Sequence, residues 1–458
     1  MAAVTRAVVL VATLLVAIGL VAPSAALGAT VTFAGSDAKA TYNGEIKFSV
    51  DVTSSAPLAR AELRLGLPGA LGPYIVDVPV TPGGGTQALR YSLDLTGGGH
   101  LVPNTPISYT WAAFTDAGGP PVVSDTGRIR YSDTTQDWRT LKGDLITVHW
   151  YAGSESFARK ALDIGEQAVR DTSKLLGVTE TEPIDFFIYG DSAAFRAALG
   201  PGTRENVGGQ AHADIRTLFA LIEPSAIDDP WVGVVVPHEL THLVFDTAVH
   251  NAYRFPPRWL NEGLAVYLSQ GYDASDQNRV ADAVASRDLI PLPALGGQFP
   301  TDPDKTYLAY AEAVSAIDYL VRAHGRDAMV GLVLAYRDGL TDDEAFTKAT
   351  GQDLATFQQG WLDDLGAQAP QQFGPRPAPA GPLPSGWSGP APTSAPGAVA
   401  SPGAGTSAPG TTPAAAPADG AASASASGSL PLILGGLALV VVAVIGGLAL
   451  GRRRSRLA

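Results

Sequence analysis

The chain contains no cysteine in 458 residues, which excludes thiol catalysis, a disulfide framework and thiolate metal sites. Any metal must then be held by His, Asp or Glu, and only 7 histidines are present. Charge is scarce at 16%, and basic charge scarcest, with 31 Lys and Arg against 44 Asp and Glu. Setting aside Arg6 near the start and Arg452, Arg453, Arg454 and Arg456 near the end leaves 26 bases against 44 acids, a charge of -18. A surface so acidic repels phosphate backbones, and no basic helix or aromatic-basic interleaving offsets it, so nucleic acid is not an expected partner. What is abundant is apolar material, 46% of the chain, enough for two folded cores once the ends are discounted.

Residues 1–28 read as a secretory signal peptide: a short basic start, a continuous apolar run from Ala7 to Ala22, then small residues that allow cleavage after Ala26 or Gly28. At the other end Leu430 to Leu450 is uncharged and apolar, long enough as a helix to span ~31 Å of hydrocarbon. The arginines of residues 451–458 follow at once, so the tail is expected in the cytoplasm and everything before residue 430 outside. The two ends independently give the same expectation, a single-pass protein of the cell membrane with extracellular domains. Residues 369–429 are Pro, Ala, Gly, Ser and Thr with almost no charge, the composition of a disordered stalk.

Between the ends two patterns alternate in turn. Residues 30–137 show period-two runs (Ile46, Phe48, Val50, Val52; Tyr74, Val76, Val78, Val80; Ile107, Tyr109, Trp111) separated by Gly- and Pro-rich turns. Seven or eight such strands predict an antiparallel β-sandwich of immunoglobulin or fibronectin type, acting as a spacer or binding module. His100, beside three glycines, is expected in a solvated turn. Residues 138–368 change to a strand (145–150), a long helix (156–176), another strand (184–189) and then helical periodicity, an α+β unit.

Within that second unit, His238-Glu239-Leu240-Thr241-His242 lies in an apolar stretch. On a helix the two histidines are i and i+4, so both imidazoles project from one face, as two zinc ligands must. Glu239 then sits beside the metal without binding it, placed to take a proton from the attacking water and hand it to the leaving group. A catalytic zinc needs three protein ligands and an open position. Glu262 is the preferred third ligand, because a loop and an antiparallel second helix fit the interval from His242; Asp246 and His250 are the alternatives farther along the first helix. Pro237 is out of place if Asp228 or Asp229 caps this helix, and in place if the helix starts near Val236. His149 is expected packed in its strand, His324 at a helix C-terminus, and His212 either packed or facing the cleft.

His238-Glu239-Leu240-Thr241-His242 followed by Asn261-Glu262-Gly263-Leu264-Ala265 resembles the gluzincin metallopeptidases, the clan of thermolysin and the zinc aminopeptidases, and most closely the peptidase MA-like family of secreted bacterial proteins. The resemblance covers roughly residues 138–365. It implies a gluzincin-type fold, Zn2+ held by His238, His242 and Glu262, hydrolysis of a peptide or protein substrate with Glu239 as base, and an edge strand, expected at residues 217–222, that pairs with extended substrate. It also implies a Tyr or His donor to the oxyanion; Tyr310 matches, with Tyr307 as the alternative. Two features depart from the family. The Gly-x-Met-x-Asn segment with which zinc aminopeptidases hold the substrate amine is absent, which favours endopeptidase action. Val266 stands where many relatives carry an acid that orients the first histidine, leaving Asn261 or Asp246 for that role. The alternatives to a peptidase are a catalytically inactive surface binding protein of the same fold and a hydrolase of cell-wall peptides. No heptad or exposed apolar stripe signals an oligomer.

Overall fold

The alternating runs become strands whose inward side chains are buried and whose outward ones are not, the consequence of a two-residue side-chain period. The computed structural model describes residues 29–96, 100–200, 208–251 and 254–368. The expected signal peptide, stalk, membrane helix and Arg-rich tail therefore lie outside the described residues. Among the described residues no helix is long and apolar enough to cross a membrane. Two compact units divide between Thr247 and Ala248.

The first unit opens with eight strands. β1 (Val31–Ala40), β2 (Glu45–Ser54) and β5 (Gly85–Asp94) form one antiparallel sheet in the order β1-β2-β5. β3 (Leu58–Gly66), β4 (Tyr74–Val78), β6 (Thr105–Thr115) and β7 (Val122–Val123) form a second, ordered β4-β3-β6-β7, with β8 (Gly127–Tyr131) also on β6. One apolar core joins them: Ile46, Phe48, Val50 and Val52 from the first sheet meet Leu63, Leu65, Ile107 and Trp111 from the second. Each of these side chains contributes roughly 1.5–3 kcal/mol by leaving water, before the entropy of ordering is counted.

A mixed sheet follows in the same unit, with strands β9 (Arg139–Lys142), β10 (Ile146–Trp150), β11 (Ile184–Tyr189), β12 (Gly209–His212) and β13 (Thr217–Leu221) in the order β12-β13-β11-β10-β9. β10, β11 and β13 run parallel, while β12 and β9 are antiparallel at the two ends. The parallel pair β10 and β11 needs a crossover, supplied by α1 (Glu155–Leu176). Ser154 caps that helix by accepting from the Phe157 N–H, and Gly177, at φ 65°, ends it in the left-handed conformation that a residue without Cβ takes freely. A second helix, α2 (Ser192–Leu199), follows β11.

The boundary expected at 137/138 runs inside this unit, where the two sheet systems share buried and partly buried hydrogen bonds. Asn104 Nδ2 donates to Asp185 Oδ2 at 2.9 Å and to Thr217 Oγ1 at 2.8 Å, and Tyr189 donates to Asp133 at 3.1 Å. His149 packs as expected, stacked on Phe187 and 2.8 Å from Asp185 Oδ1. His100 departs from the solvated-turn expectation: its Nε2 lies 2.9 Å from the Ala198 carbonyl at the end of α2, because a helix C-terminus leaves carbonyls that an imidazole can satisfy.

The unit ends on α3 (Val232–Val249), which is apolar almost all round and correspondingly buried. Pro237 is inside it, because the helix starts at Val232, between the two expected starts. The second unit is helical: α4 (Arg258–Ser269), α5 (Ala274–Ser286), α6 (Pro303–His324), α7 (Arg326–Arg337), α8 (Asp342–Thr350) and α9 (Leu354–Asp364). Asp302 caps α6 and Pro303 occupies its first position, where a missing N–H costs nothing. α4 and α6 touch backbone to side at Gly263, where a Cβ would stand 2.4 Å from the Ala313 carbonyl oxygen. His324 closes α6 against Tyr319 and Phe357.

Candidate metal centre

α3 carries His238 and His242 one turn apart, so their rings meet edge to face with centroids 4.9 Å apart. Both are buried, at 4% and 1% exposure. Glu262, on α4, is fully buried, and His238, His242 and Glu262 each offer a ligand atom within 4.8 Å of the others'. This is the one such group among the described residues. Two imidazoles and a carboxylate form the N2O donor set of a catalytic zinc, with one coordination position left over for water or substrate. The alternatives fall away: His250 lies beyond the end of α3 and is exposed, and Asp246, half-buried, faces Asp214, whose carboxyl is raised by burial and by the Asp246 charge.

Glu239 is also fully buried, and one of its oxygens, Oε2, accepts the Ala211 N–H of β12 at 2.8 Å. A Cβ on Gly209 would stand 3.0 Å from Glu239 Cγ and 3.1 Å from Val235 Cγ1, so this glycine lets β12 lie close against α3. β12, rather than residues 217–222, is therefore the end strand beside Glu239. That expectation is corrected: β13 is paired on both sides, by β12 and β11, and β12 is the end strand among the described residues. The strand alternation also corrects the cleft reading of His212. Gly209 and Ala211 face α3, so Gln210 and His212 face the other way, where His212 meets Phe219 edge to face. Burial, with the nearby His100, pushes the His212 imidazole down to about 4.

Around Glu262 the second unit supplies a polar and aromatic cluster. Arg258, four residues earlier on α4, reaches Glu262 Oε1 with Nε at 3.1 Å and a terminal nitrogen at 3.0 Å. Burial works against its charge, yet Glu262 and Tyr310 hold the guanidinium above its ordinary pKa. Tyr310, on α6, is 8% exposed, hydrogen-bonds Arg258 and stands edge to face on Phe299 at 5.1 Å. Tyr307, one turn earlier, lies instead under Arg279 at 5.2 Å. Asn261 is buried beside Glu262 in sequence. Arg258, Gly209 and Ala211 were not singled out in the sequence. An Arg placed i−4 to the expected carboxylate ligand was the available signal for the first, and the Gly208-Gly209 pair ahead of the active helix for the others.

Residues 164–367 match the family model described as Peptidase MA superfamily. No curated protein matches the chain. Among solved structures, an aminopeptidase N family protein from Idiomarina loihiensis is 10% identical, with 73% of this chain and 78% of that chain covered at a TM-score of 0.41. A variant of an M1 zinc metallopeptidase from Deinococcus radiodurans is 15% identical, with 75% and 94% covered at a TM-score of 0.36. The segment from residue 164 to residue 367, which holds both motifs and the three clustered side chains, belongs to the Peptidase MA superfamily.

Proposed function

We propose that the chain is a zinc metallopeptidase that cleaves internal peptide bonds outside the cell while held to the membrane by one C-terminal helix. The observation that carries the chemistry is the convergence of His238, His242 and Glu262 within 4.8 Å, next in sequence to a buried Glu239. Zinc bound there supplies Lewis acidity toward water and the scissile carbonyl. Glu239 accepts the proton that the attacking water gives up as its oxygen bonds to the carbonyl carbon. It then delivers that proton to the amide nitrogen as the C–N bond breaks, and the Ala211 N–H fixes one of its oxygens throughout. The Tyr310 hydroxyl donates to the negative charge that develops on the carbonyl oxygen.

Endopeptidase action is favoured by β12. An enzyme that trims N-termini needs an anion for the substrate α-ammonium, and Gly209, Gln210, Ala211 and His212 provide none. An extended peptide laid along an end strand is held through its own backbone, which suits internal cleavage. The location rests on residues 1–28, 430–450 and 451–458, whose apolar runs and arginines fit secretion and a positive-inside anchor. The test is a library of internally quenched peptides with blocked ends, cleaved by the purified protein and by Glu239→Gln. Cleavage lost by ~10²–10⁴-fold in the variant, with zinc retained, is the expected result. Equal turnover by both proteins would sink the assignment of the base, and no cleavage by either would favour the inactive binding protein.

A further inference from the structure

We infer that Arg258 is a positioning residue that fixes the Glu262 carboxylate and the Tyr310 hydroxyl in one arrangement, so that the third metal ligand and the oxyanion donor are set together. The inference rests on the proposed zinc site. Arg258 is the first residue of α4 and lies one helical turn before Glu262, so the two side chains share a face. Two guanidinium nitrogens converge on a single oxygen, Oε1, at 3.1 and 3.0 Å. A two-point grip on one oxygen stops rotation of the carboxylate and directs Oε2 away from Arg258. The same guanidinium hydrogen-bonds Tyr310, and Phe299 holds both, lying 5.1 Å from the Arg258 carbon and 5.1 Å from the Tyr310 ring. An exposed i,i+4 ion pair has no such effect, because both partners remain free to turn in water. Here Glu262 is 0% exposed and the Arg258 side chain 18%, so each is confined. A lysine keeps the charge but offers one compact ammonium, which cannot reproduce a planar fork on Glu262 together with a bond to Tyr310.

The experiment compares the full chain with Arg258→Gln and Arg258→Lys. Metal-free protein is titrated with Zn2+ against a chromogenic chelator, and separately loaded with Co2+ to record the visible absorption that reports coordination geometry. Zn2+ affinity is expected to fall ~10–100-fold in Arg258→Gln, the usual cost of losing a group that orients a ligand. Arg258→Lys is expected to fold at the wild-type melting temperature and still show a shifted Co2+ spectrum. Wild-type Zn2+ affinity and an unshifted Co2+ spectrum in folded Arg258→Lys would overturn the inference while leaving the zinc site intact. A wild-type chain that binds neither ion would overturn the zinc site, and the inference with it.

Discussion

At the scale of single residues, the centre separates two roles that one acid cannot fill together. Glu262 is turned by Arg258, while Glu239 is held by a backbone N–H from β12. Both are wholly buried, so a carboxylate here is worth having only if hydrogen bonds and a metal replace the water it has lost. Tyr310 is the third element. Its contact with Arg258 and its edge-on packing against Phe299 leave the ring little freedom. Tyr310→Phe keeps that packing and deletes only the hydroxyl. It is expected to lower kcat by roughly 10²–10³ with little change in KM, as loss of an oxyanion donor does. Steady-state kinetics on one cleaved peptide would check this, and a fall confined to KM would place the hydroxyl in ground-state binding instead.

At the scale of elements, two close contacts position the site. Gly263 follows Glu262 and sits where α4 crosses α6, with no room for a Cβ beside the Ala313 carbonyl. Gly263→Ala is expected to destabilise the protein by about 1–3 kcal/mol, the range for overpacking against backbone, and to loosen zinc as α4 shifts. Denaturant unfolding of the two proteins would measure it. Glu312, on α6, is buried, and both its oxygens accept the Ile290 N–H, at 3.0 and 3.1 Å. Burial raises this carboxyl well above its ordinary value, against the opposing Ile290 N–H and Lys305. The folded chain therefore holds a proton that the unfolded chain releases near pH 4.5, so this group's contribution to stability declines as pH rises above that point. Glu312→Gln cannot ionise and keeps an acceptor for Ile290. Its stability relative to wild type should grow from pH 5 to pH 8; an equal difference at both would contradict the account.

These elements also mark what was legible in the sequence. The strands of residues 146–150 and 184–189 and the helix of residues 155–176 were legible because periodicity and caps are local. So was the placing of His238 and His242 on one helix face, since i,i+4 geometry needs no tertiary information. The order of the mixed sheet was not legible. β12 is four residues long and carries two polar residues and a glycine, so its pattern is too short to compete with the apolar β13 for the end position. Arg258 was missed for the opposite reason. Its own turn of helix looks like any charged helix start, and only the fold brings Tyr310 and Phe299 to it.

At the scale of the whole molecule, acidity and buried charge are separated. The bulk of the chain carries an excess of acids, while the clustered His238, His242 and Glu262 present two imidazoles and one carboxylate to a divalent cation. In the proposed arrangement, the stalk of residues 369–429 and the span of residues 430–450 hold this centre outside the membrane, where no thiol chemistry is needed and none is encoded. In the proposed centre these three side chains hold one zinc. Metal analysis of the purified full chain beside Glu262→Ala and Glu239→Gln addresses this most directly. One zinc per chain in wild type and in Glu239→Gln, falling sharply in Glu262→Ala, is the predicted result; no zinc in wild type, or full zinc in Glu262→Ala, would contradict it.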